Sequence, residues 1–270
     1  MPFTLSHAAA ALPFRKLKPV WPALVIGTFA PDLQYFIWIS DEDRSGHHFP
    51  GILLLSLPLA LLLLWLFERF VKGPVIELLP DGVQRRLPDK LEPLPFWGWR
   101  RLGSIVAWIV VGMATHVVWD WFTHSRTWIT TRWELFSYRV PVPFHDPMAV
   151  SKLLQHASTV LGFLAVLAWL AMWYHRTTPV PSANLHRISS FRKVVVLFTM
   201  VVIAALVGYP LALFRLLYHD HPPGLLVVIV TVFEAATLVF CVEALIYGVI
   251  RTFSTRVRRV PSVQPNQQSS

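Results

Sequence analysis

The 270-residue sequence has a single cysteine, Cys241. No intrachain disulfide can form, and a cysteine-pair metal site is excluded. Charge is scarce as well. Asp, Glu, Lys and Arg make up 14% of the chain, against about 25% in soluble globular proteins. There is no glycine-rich phosphate loop, no internal repeat, and no alternating strand pattern of a membrane barrel. Disordered, collagen-like and disulfide-stapled classes are excluded with them. What the chain has in abundance is apolar surface: 54% hydrophobic residues and a mean hydropathy of +0.52. A soluble fold of this length has too little charged shell to cover it. The net charge of +9 therefore reads as cytoplasmic loops of a membrane protein and not as a nucleic-acid surface.

Crossing a bilayer takes about 20 residues of helix. Five stretches meet or approach that: 50–70, 103–122, 158–174, 194–217 and 224–250. Residues 5–12 and 21–30, parted by Pro19 and Pro22, are each too short to span. We read them as a helical hairpin dipping into the membrane, the alternative being a sixth span over 21–39. The expectation is an all-α polytopic bundle of about five spans plus an N-terminal hairpin. Its parts are a membrane domain over 1–175, two further spans over 176–250 and a polar, disordered tail over 251–270. Fifteen of the 24 lysines and arginines fall between 69 and 101, 176 and 193, and 251 and 259. By alternation these segments share one side, which the positive-inside rule makes cytoplasmic. Residues 72–101 read as an interfacial cytoplasmic loop, and the multi-pass chain as a resident of the plasma (inner) membrane.

Polar groups inside a membrane are costly and usually functional. His116 and Asp120 lie four apart and share a helix face, with His124 four further on. Imidazole and carboxylate at that spacing bind a divalent metal or orient one another. The plainer reading is a hydrogen-bonded pair that satisfies two buried groups. An antiparallel hairpin brings His7, at the start of its first arm, level with Asp32 at the end of its second. His47, His48 and His156 flank spans on the same outer side, and His145 lies in the outer loop beside Pro141 and Pro143. Topology thus delivers His7, Asp32, His47 or His48, His116, Asp120, His124 and His156 to one face. Nitrogen and oxygen donors without thiolate suit zinc, manganese or iron. Asp120, His124 and His145 are the candidates for a general base. Glu234 lies deep in the last span, where it pairs with Arg215 or stays protonated.

The segments Met1-Pro2-Phe3-Thr4-Leu5-Ser6-His7, Ala30-Pro31-Asp32-Leu33, the leucine run before Phe67, Thr115-His116 with Asp120 and Thr123-His124, and Lys152-Leu153-Leu154-Gln155-His156 resemble the bacterial membrane family catalogued as domain of unknown function 4184. More distantly, the order N-terminal His, Pro-Asp, loop His, His-x-x-x-Asp looks like the inner-membrane metal-dependent hydrolases. Those are similar in motif order to the zinc-dependent phospholipase C group. The resemblance implies His7, Asp32, His48 (or His47), His116 and Asp120 as metal ligands. Val160 stands four residues after His156, where the phospholipase group has Glu, so a complete three-metal site is not implied.

Three functions follow as expectations. The first is a hydrolase, with zinc or manganese, acting at the outer face on a lipid or lipid-linked (phospho)ester, its partner being membrane lipid and not nucleic acid. The others are a non-enzymatic membrane assembly or binding protein with a structural polar cluster, and a transporter.

Overall fold

Proline spacing shapes the first span. In the computed structural model, which describes residues 4–17, 20–34, 50–87, 93–142, 145–180, 188–217 and 225–257, a helix runs over Ile52–Leu78. Two π-helical segments interrupt it, Ile52–Ser56 and Phe67–Val71. Each ends two or three residues before a proline, Pro58 or Pro74. Proline has no N–H to close the ordinary bond and its ring crowds the preceding turn. The helix widens just ahead of it, with Leu57 N–H reaching Ile52 O and Lys72 N–H reaching Phe67 O.

The described chain opens with a 3-10 helix, Thr4–Phe14, where an α-helix was expected. It is followed by α1 (Trp21–Phe29), which has proline in its first turn, and by a 3-10 turn at Ala30–Asp32. The Trp21 indole N–H donates to Ala11 O at 2.9 Å and closes the hairpin between the two arms. Next come the first span, α2 (Ile52–Leu78), and the short α3 (Asp81–Gln84). The expected loop at 72–101 is therefore helical as far as Leu78. Its first helical turn is held by Lys72, which donates to Glu68 Oε2 at 2.8 Å one turn back.

The remaining elements are α4 (Trp99–Thr123), α5 (Trp128–Arg132), α6 (Glu134–Ser137), β1 (Arg139–Val142), β2 (His145–Ala149), α7 (Val150–Arg176), α8 (Ser190–Leu216) and α9 (Leu225–Val257). Among the described residues five helices are long and apolar enough to cross a membrane. The chain is an all-α polytopic membrane protein. Among the described residues the only strands form the antiparallel β1–β2 ribbon, in the stretch read as an outer loop around Pro141.

The described chain forms two compact units. The first comprises Met1–Trp65 and Glu92–Pro179. Its core is small and close-packed, formed by Ala23, Ala30, Ala60, Leu64, Ile105, Ile109 and Met113. Large apolar side chains such as Leu54, Val118 and Leu161 point outward. In lipid there is no hydrophobic force between helices, so packing depends on close backbone approach at small residues. Gly27 and Gly112 provide it. A Cβ on Gly112 would stand 2.5 Å from Leu24 O and 2.8 Å from the Gly27 backbone. The second unit, Leu66–Leu91 and Val180–Ser270, pairs α8 with α9 through Gly208 against Ala236. Buried Lys193 donates to Leu79 O at 2.9 Å and Asp81 Oδ1 at 2.6 Å, and Arg251 grips Glu77 Oε2 through two nitrogens.

Candidate metal centre

Gly112 lets α4 lie against α1, and one turn later the same face of α4 carries His116. Its ring is buried and its Nδ1 stands 2.8 Å from Thr28 O of α1. A carbonyl oxygen only accepts, so Nδ1 carries a proton. That turns Nε2 toward two carboxylates, Asp120 Oδ2 at 3.2 Å and Asp32 Oδ1 at 3.4 Å. Asp120 is on the same helix one turn on, as the spacing predicts. Asp32 comes from the 3-10 turn that ends the hairpin. The His7 ring stacks on the His116 ring, with centroids 4.0 Å apart and planes inclined by 23°. Burial lowers the His7 pKa first, and the facing His116 ring lowers it further. At neutral pH the His7 imidazole is therefore neutral.

One ligand-type atom from each of His7, His116 and Asp120 lies within 4.8 Å of the others, and all three residues are buried. Ligand atoms around a tetrahedral ion at about 2.1 Å stand roughly 3.4 Å apart. The His116–carboxylate distances match that spacing. Two further features bear on whether a cation fits. A neutral His116 ring with Nδ1 protonated would aim a lone pair at two carboxylates, so either a second proton or a cation must lie between them. The His7 Nε2 is buried and has no hydrogen-bond partner among the described residues, which a proton on His116 does not cure. A divalent ion held there would answer both, the nitrogen and oxygen donors being of the borderline-to-hard type.

Beyond Asp120 the helix ends at Thr123. His124 Nδ1 lies 3.4 Å from Asp120 Oδ1, and the His124 ring is partly exposed. Its other nitrogen, Nε2, is 3.3 Å from the Gln155 amide nitrogen of α7. Threonines hold the turn that follows. Thr127 caps α5 and donates to Trp121 O at 2.6 Å, and Thr130 donates to His124 O at 3.1 Å. Arg126 takes the left-handed backbone conformation, φ 61°, that reverses the chain there.

His7, Asp32, His116, Asp120 and His124 are thus brought together. His156 is not, since its side chain is exposed on α7 while its neighbour Gln155 is buried against His124. His145 starts β2, paired with Val142, and its side chain is not among those described. His47 and His48 lie outside the described residues. Gln155 is the residue that sequence reasoning missed. Ser151, Gln155 and Ser158 recur at helical spacing and form a polar stripe on an otherwise apolar span, a signal that points one residue away from His156.

These observations define a class, a multi-pass helical membrane protein with a buried His/Asp group at the junction of a short hairpin and a span. A family model described as "Domain of unknown function (DUF4184)" matches residues 1–251. The chain belongs to that family. No curated protein and no solved structure matches it, so the more distant likeness to metal-dependent hydrolases has no support among the comparisons.

Proposed function

We propose that the chain is a metal-dependent hydrolase of the plasma (inner) membrane, acting near the outer face on a lipid or lipid-linked ester or phosphoester. One observation carries the reading: three buried side chains each bring one ligand-type atom within 4.8 Å of the others. His7, His116 and Asp120 would hold the ion, with Asp32 beside them. A divalent ion, zinc or manganese, supplies Lewis acidity toward a carbonyl or phosphoryl oxygen. Thr28 O fixes the His116 tautomer, the role that outer hydrogen bonds play around ligating histidines. His124 is the member of the group that reaches solvent. It takes a proton from the attacking water and returns it to the leaving oxygen, while Asp120 and Gln155 set its ring orientation. Water's oxygen bonds to carbon or phosphorus as the ester oxygen departs, so the proton count balances.

Elemental analysis of the protein purified in detergent without chelator tests this. About one zinc or manganese per chain is expected, lost in His116→Ala and Asp120→Ala while both variants remain monodisperse and helical. A wild-type chain that holds no stoichiometric metal, even after incubation with zinc and manganese, would falsify the reading. It would leave His116 as a protonated clamp between Asp32 and Asp120, the arrangement of a structural cluster.

A further inference from the structure

A cavity of about 420 Å³ adjoins the His/Asp group, within the roughly 300–1,000 Å³ usual for small-molecule sites. It is bounded by the N-terminal 3-10 helix, α4 and α7. His7 and three small hydroxyl side chains line it, and Ala9, Ala10, Trp119, Leu161 and Gly162 make the rest of its wall apolar. Three facts fix its direction. Gln155 is level with His124, eight residues past His116 at the end of α4. Ser158 receives the Trp119 indole N–H at 3.2 Å. Gly162 lies seven residues past Gln155, about 10 Å along the helix at 1.5 Å per residue. α7 thus runs antiparallel to α4 and brings Gly162 to the level of Ser6 and His7, and the cavity follows α7 past His7 to Ala9 and Ala10 of the first arm.

Its floor and outer wall are also specific. Gly162 lets α7 approach the hairpin so closely that a Cβ there would stand 2.8 Å from Ser6 O. The most apolar stretch of α7 has no residue buried by protein, and Val160 and Leu161 are exposed. That side of the cavity opens on the exposed apolar surface of the span. A slot with His7 of the candidate cation site on one side and a mostly apolar wall opening on the exposed surface of the span fits a molecule with both a polar head and an apolar chain.

We infer that this slot receives one acyl chain of a glycerophospholipid, with its ester or phosphate head at the His7–His116–Asp120 group. The assignment rests on the hydrolase reading for the role of the head, but the binding of the chain does not depend on metal. The small side chains of Ala9 and Ala10 leave the room the chain occupies. Trp119 forms a flat wall against it, fixed by its bond to Ser158.

The test uses the full chain in vesicles of phosphatidylethanolamine and phosphatidylglycerol containing a phosphatidylglycerol with a photoactivatable diazirine in one acyl chain. Illumination and peptide mapping should place adducts on the segments around Ala9 and Leu161. Two variants that fill the slot from different elements, Ala10→Trp and Leu161→Trp, should lose those adducts and keep their metal. Adducts spread evenly over the lipid-facing surface and unchanged in both variants would overturn the inference. So would displacement of the probe by a polyprenyl phosphate but not by unlabelled phosphatidylglycerol, which would reassign the slot to an isoprenoid chain. The two readings fail separately. Adducts in the slot of a chain that binds no metal would remove the hydrolase and leave the lipid site, whereas a metal-loaded chain without adducts would do the reverse.

Discussion

His116 makes the sharpest demand at the residue scale, because its ring is placed from three directions. Thr28 O takes Nδ1, Asp32 and Asp120 face Nε2, and His7 covers the plane. Gln155 has a different task, holding His124 without joining the ligand group. Gln155→Leu should accordingly keep the metal. It should cost about 1 kcal/mol of stability, the usual net value of a buried hydrogen bond. Elemental analysis and thermal unfolding of that variant beside His116→Ala separate the roles, and metal loss from Gln155→Leu would contradict this assignment. His156→Ala should also keep its metal, because that side chain is exposed. The His116–Asp120 pair was legible from sequence because α-helical spacing is local and needs no knowledge of the neighbouring chain. The choice between Gln155 and His156 was not. It turns on which face of α7 meets α4, and residue type favoured the histidine while the polar stripe favoured the glutamine.

Helix contacts in this chain are decided by small residues. Gly27 and Gly112 let the backbones of α1 and α4 touch, and this contact is what brings Thr28 to His116. Gly112→Val should therefore destabilise by about 1–3 kcal/mol, the range for overpacking, and should lose metal together with stability. Gly103→Ala in the same helix meets no atom within 4 Å. It should be neutral or slightly stabilising, since alanine is favoured over glycine in a helix by roughly 0.5–1 kcal/mol. Paired melting curves of the two variants check the contrast, and equal melting temperatures would refute it. The existence of the five long helices was plain from hydropathy, but their ends were not. The expected start of α7 at 158 was late by eight residues because its first two turns carry Ser151, Lys152 and Gln155, which hydropathy counts as loop. The expected end of α2 at 70 was early because the Lys72–Glu68 ion pair carries the helix through a charged turn. The 3-10 form of the first arm and the β1–β2 ribbon have no hydropathy signature at all.

For the molecule as a whole the open quantity is direction across the bilayer. Exposed tryptophans mark two levels along α4. Trp97 and Trp99 lie at its start, and Trp128 and Trp133 just beyond its end. Twenty-five helical residues at 1.5 Å each give about 37 Å, enough for a hydrocarbon core of about 30 Å between two aromatic belts. His116 and Asp120 lie within the last third of that helix, so the His/Asp group sits close to the second belt and not at the midplane. The belts alone do not say which side is which, and basic residues do. Arg100 and Arg101 follow Trp99 in the first turn of α4, within a sequence segment, 69–101, that holds seven lysines and arginines, and juxtamembrane positive charge is retained on the cytoplasmic side. The group should then face outward, where a lipid head in the outer leaflet can reach it. Cys241 is exposed and must first be replaced by serine to give a background without thiols. On it, His145→Cys in β2 should react with a membrane-impermeant maleimide in intact cells. Arg86→Cys, in the basic segment, should react only after the membrane is opened. The reverse pattern would invert the orientation and place the site at the inner leaflet, leaving its geometry untouched and moving its lipid to the cytoplasmic face.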